Sequence, residues 1–134
     1  MARKNVIKVE FDSPFTVLGI ASNEKIWKVA WGINQQLSLA LASQQDDAAA
    51  HIEVADLYSD AESDPDFDYL LFENTHQSRK VPKLARNFRF WLVLRHKRDE
   101  APDVSALLRA LGEVDVVTLA HDLTQEKDIK KLLP

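Results

Sequence analysis

Residues 15–37 constrain this chain more than any other stretch, because they join a β-branched apolar run to an amphipathic helix. Phe15-Thr16-Val17-Leu18-Gly19-Ile20 carries no charge and reads as a buried strand. Ser22 or Asn23 can accept a hydrogen bond from the free N–H groups of a following helix, so either is a candidate N-cap. In that helix Ile26, Ala30, Ile33 and Leu37 fall on one face, and Trp27, Trp31 and Asn34 on a neighbouring one. Two tryptophans at i, i+4 form the largest apolar block in the sequence, and at least one ring is expected in the core. Gly32 inside the helix costs about 1 kcal/mol against alanine, which predicts a neighbour packed close over it.

The remaining elements follow in order. Asn5–Phe11 reads as a first strand. Residues 37–42 leave two readings open, since their alternation suits a short strand after a helix ending near Leu37 and their leucines and alanines suit further helix. Strands are expected over His51–Tyr58 and Phe67–Glu73, separated by an acidic loop. Phe88–Arg95 carries the plainest strand pattern. Phe88, Phe90, Leu92 and Leu94 share one face; Arg89, Trp91, Val93 and Arg95 share the other. Asp103 can cap a helix bearing Val104, Leu107, Leu108 and Leu111, with Gly112 as its stop. Val114–Leu119 then reads as a strand parallel to the Phe88–Arg95 strand, and Thr124 begins a last short helix. The expected fold is a single α+β domain over 1–134, a mainly antiparallel sheet with helices packed on one face. A ferredoxin-like core extended by extra strands is one such arrangement.

Asp12 through Leu37 also carries a resemblance. Leu18-Gly19-Ile20-Ala21-Ser22 before the helix, and Trp31-x-x-Asn34 late in it, resemble the bacterial family named for its IPExxxVDY motif. The corresponding stretch here is Val81-Pro82-Lys83, followed by Phe88-Arg89-Phe90 across a spacer one residue longer than the motif's. Lys83 stands where the family has glutamate. The resemblance implies a small prokaryotic protein with no assigned activity, and it brings no catalytic residues.

Composition narrows the function classes. A chain of 134 residues can bury roughly two-thirds of its unfolded surface. A net charge of -4 argues against non-specific nucleic-acid binding. With no cysteine there is no disulfide or thiolate metal site, and the cytoplasm is the default compartment. No apolar run approaches the ~20 residues of a membrane helix.

Candidate chemistry is sparse. His51 and Glu53, at i, i+2, can converge on a metal, but no third ligand is identifiable and no metal or cofactor is expected. With only Gly19, Gly32 and Gly112, there is no phosphate-cradling loop. Acidic residues crowd 56–73 and basic ones 79–98, a pattern that cross-strand pairing or a bipolar docking surface would both produce.

The expected function is a non-enzymatic interaction or adaptor domain whose partner is another protein or a second copy. Its face would centre on Trp91 flanked by Arg89 and Arg95, while Trp27, Trp31, Phe88 and Phe90 form the core. The alternatives are an RNA-binding module stacking bases on Arg89 and Trp91, and a small enzyme with a carboxylate-histidine site at His51, Glu53 and Asp56.

Overall fold

The computed structural model describes residues 15–43, 57–74, 85–98, 100–126 and 129. Among the described residues the strands are β1 (Phe15–Ala21), β2 (Ala42–Ser43), β3 (Tyr58–Asp60), β4 (Phe67–Glu73), β5 (Phe90–His96) and β6 (Leu119–Asp122). The helices among them are α1 (Ile26–Leu37) and α2 (Val104–Gly112), and a 3₁₀ turn covers Ala85–Asn87. The expected first strand at 5–11 lies outside the described residues, as does the start of the strand expected from His51.

One sheet holds all six strands in the order β2-β3-β4-β5-β1-β6, with every neighbouring pair antiparallel. β5 and β6 both run against β1, which lies between them, so they are parallel to each other and joined through α2. β1 and β4 are likewise parallel across β5, joined through α1 and the β2–β3 pair. These are two interleaved split β-α-β units, the connectivity of a ferredoxin-like core, extended past β4 by β3 and β2. The parallel relation expected around α2 is therefore present, with β1 inserted between its two strands.

Alternation along β5 sorts the core into two clusters. Phe90, Leu92 and Leu94 join Leu18, Ile20 and Leu71 beneath Ile26, Val29, Ala30 and Ile33 of α1 and Leu111 of α2. Trp91 and Val93 point to the other face, with Val17, Phe72, Ala85, Phe88, Leu123 and Ile129. Both faces of the central strands are thus covered. Phe88 precedes the strand and packs beside Trp91, instead of continuing the Phe90 face.

Two glycines mark close approaches. A Cβ on Gly19 would lie 2.6 Å from Phe88 Cγ and 2.8 Å from Leu123 Cδ1. One on Gly32 would lie 2.6 Å from Val114 Cγ1, which supplies the predicted neighbour. The covering element is a turn and not a strand. Val114 and Val117 are buried in the core under the helices, and the strand begins only at Leu119. Packing on α1 has overridden the β preference of this valine-rich run.

The helix ends also differ in part from expectation. Lys25 occupies the N-cap of α1 with no side-chain cap, and Ser22 Oγ instead accepts from the Glu24 N–H at 3.1 Å. The C-cap, Ser38, takes the left-handed conformation at φ 57. Asp103 caps α2 as expected, its Oδ1 accepting from the Ala106 N–H at 3.1 Å. Asn34, late in α1, holds Leu41 from both sides. Its Oδ1 accepts from the Leu41 N–H at 2.8 Å and its Nδ2 donates to the Leu41 carbonyl at 3.2 Å.

Candidate functional site

The surface that stands out is the outward face of α1. Ile26, Val29, Ala30 and Ile33 already fill the stripe that meets the sheet, so Trp27 and Trp31 are carried outside it. They are 56% and 63% exposed. This corrects the expectation that a tryptophan of this pair lies in the core. Two neighbouring indoles in water form an apolar patch of the kind that marks an interface on a soluble protein.

A groove of about 330 Å³ runs beside Trp31, floored by Gly32, Val114 and Val116. The close packing of Val114 on Gly32 creates it, because that contact seats the 113–116 turn against the middle of the helix. Lys28 and Gln35 from α1 and Glu113 and Asp115 from the turn form its rim. Lys28 makes an i,i+4 ion pair with Glu24 at 3.3 Å, with both side chains nearly half exposed. Such a pair is weak. Among the described residues Glu113 and Asp115 have no ion-pair partner. A second groove, of about 360 Å³, lies between Leu37, Phe67, Tyr69 and the start of α2. There the Tyr69 hydroxyl donates to Asp64 Oδ2 at 3.2 Å. Burial, and then the Asp64 charge beside it, push the Tyr69 hydroxyl above the ordinary phenol range.

The surface expected around Trp91 is not formed. Trp91 is 0% exposed, edge-on to Phe72 at 5.9 Å in the cluster opposite the helices. Its indole N–H meets no acceptor among the described residues. A ring so enclosed offers neither an interface nor a stacking platform for a base. Arg89 is exposed but engaged: its Nε donates to Glu73 at 3.0 Å, and its guanidinium lies 4.9 Å from the Phe90 ring centre. Arg95 is exposed at the far end of β5. The expected core residues Phe88 and Phe90 are buried. The acidic and basic segments meet through Arg89–Glu73, Lys97–Asp68 and Arg98–Asp66, as cross-strand pairing required.

Two polar groups inside the fold serve its structure. Asp60 is buried where β3 ends. Its carboxylate accepts from the N–H groups of Ala40 at 2.8 Å, Glu62 at 3.0 Å and Ser63 at 3.1 Å. Burial raises its pKa, but the Ser63 hydroxyl and these N–H groups outweigh that and bring it to about 2. It ties the chain after α1 to the β3–β4 turn. His96 Nε2 lies 2.9 Å from Thr16 Oγ1, with the Phe67 ring edge-on at 5.3 Å, and burial lowers its pKa.

His51, Glu53 and Asp56 lie outside the described residues. Among those described, no three histidines or acids stand close enough to hold a metal, and no helix is long and apolar enough to cross a membrane. The groove rim was missed by sequence reasoning, because Glu113 and Asp115 come to line one groove with Lys28 only through the tertiary contact at Gly32. One signal was available: Ile26, Val29, Ala30 and Ile33 complete a buried stripe without either tryptophan. No protein-family model matches the chain, and no curated protein or solved structure matches it either.

Proposed function

We propose that this is a cytoplasmic protein-interaction domain that docks a partner on the outward face of α1, through Trp27, Trp31 and the groove beside them. The observation that carries it is the exposure of two tryptophans one helical turn apart, at 56% and 63%, in a fold that buries its third tryptophan fully. Tryptophan is among the residues enriched in the side chains that dominate binding energy. The groove gives such a contact a shaped boundary, and its carboxylates give it polarity. The compartment is proposed on the cysteine-free sequence. The resemblance to the IPExxxVDY family is compatible with this reading and assigns no residue a role.

A photo-crosslinking residue at exposed Gln35, on the groove rim, tests the proposal in living cells. The expected result is a discrete covalent adduct that disappears when Trp27→Ser and Trp31→Ser are combined. Each serine change should alter stability by no more than about 0.5 kcal/mol, as exposed substitutions do. An adduct pattern unchanged by the two serines would refute the docking face.

A further inference from the structure

Resting on that docking face, we infer that its occupant is a second copy of this chain. The two α1 helices pack antiparallel about a twofold axis that passes between Trp27 and Trp31. The patch supplies both halves of such a contact. In this arrangement Trp27 of each copy meets Trp31 of the other, which covers all four exposed rings at the centre, where binding energy concentrates.

The charges select the same arrangement. Val114 rests on Gly32, so Glu113 and Asp115 sit beside the C-terminal half of α1. Lys25 is exposed at the helix start, and Lys28 projects one turn before Gly32 on the groove side. An antiparallel twofold centred between the tryptophans brings the acidic turn of one copy to the first turn of the other. There the carboxylates of Glu113 and Asp115, which have no ion-pair partner among the described residues, face Lys25 and Lys28. The weak pair of Lys28 with Glu24 is readily exchanged for that contact. A parallel arrangement would set the acidic turns at the same height and lysine beside lysine, so opposite charges favour the antiparallel dimer. One surface therefore carries an apolar centre, a cationic end and an anionic shoulder, related as a twofold requires.

Sedimentation of the full chain over a dilution series tests the inference. The wild type should approach twice the chain mass when concentrated and fall to the single mass on dilution. Trp31→Glu should be monomeric throughout. Lys25→Glu with Lys28→Glu, and separately Glu113→Lys with Asp115→Lys, should each weaken association by about tenfold or more. Mixing these two charge-reversed proteins should restore it, because every like-charge contact then becomes an opposite one. A wild type that stays monomeric up to about 0.5 mM, a dimer that persists in Trp31→Glu, or a mixture no tighter than its components would each overturn the inference. A monomeric wild type that still forms the tryptophan-dependent adduct, to a foreign chain, would leave the docking face standing and dismiss only the second copy.

Discussion

The α1 face and the β5 strand give the chain's three tryptophans opposite fates. Trp91 sits on β5, a central strand with β4 on one side and β1 on the other, and its ring is sealed beneath Phe72 and the segment around Phe88. Trp27 and Trp31 sit on a helix whose sheet-facing stripe is complete without them, and both rings stand in water. A helix offers the core one stripe, whereas a central strand covered on both sides offers it every residue. Apolar area alone does not decide which aromatic is core; the number of covered faces does.

The largest expected effect falls on the strand side of this contrast. Trp91→Ala should cost about 3–5 kcal/mol in chemical denaturation, as large-to-small core changes do. Trp91→Phe should cost much less, because the lost indole N–H has no acceptor among the described residues. A near-neutral Trp91→Ala would show that the far side of the sheet is not closed. Gly19→Ala probes the same side from the backbone. The new methyl would press on Phe88 and Leu123, and a loss of about 1–3 kcal/mol is expected. A variant as stable as the wild type would mean that the layer over Trp91 can yield.

Acid should loosen the β5 region in a defined window. His96, beside Phe67 and Thr16, has its pKa lowered by burial in the fold. The unfolded chain therefore holds this proton more tightly, so stability is full above about pH 6.5 and falls as pH drops through the lowered folded value. Asp60 adds a second loss between its ordinary value of 3.8 and about 2. Denaturation midpoints across pH for the wild type and His96→Gln should differ in slope only in the upper window. Equal slopes there would remove His96 from the account. The smallest effect belongs to the helix: Trp31→Ala should change stability by no more than about 0.5 kcal/mol when measured on dilute protein. A loss near that of Trp91→Ala would abolish the contrast.

Much of this architecture was legible in the residues. β1, β4 and most of β5 follow from uninterrupted or alternating apolar runs, and Asp103 announces the start of α2. Val114–Val117 was not legible as a turn, since its β-branched composition favours a strand and only Gly32 across the fold gives it another use. The site was legible in its residues but not in its placement. Both aromatic clusters are visible in the sequence, where apolar area ranks the helix pair above Trp91 as core. The number of faces that the topology covers reverses that order. The groove rim depends on residues some eighty positions apart and leaves no local trace.

The exposure of each indole is the most direct test of the central claim. Two variants suffice, each measured by acrylamide quenching of tryptophan fluorescence at a dilution where the chain is monomeric. One retains only Trp91, with phenylalanine at 27 and 31; the other retains only Trp27 and Trp31, with phenylalanine at 91. The Trp91 protein should emit at short wavelength and resist quenching, while the helix pair should emit at long wavelength and quench readily. The reverse order would contradict the assignment of the core to β5 and of the docking face to α1.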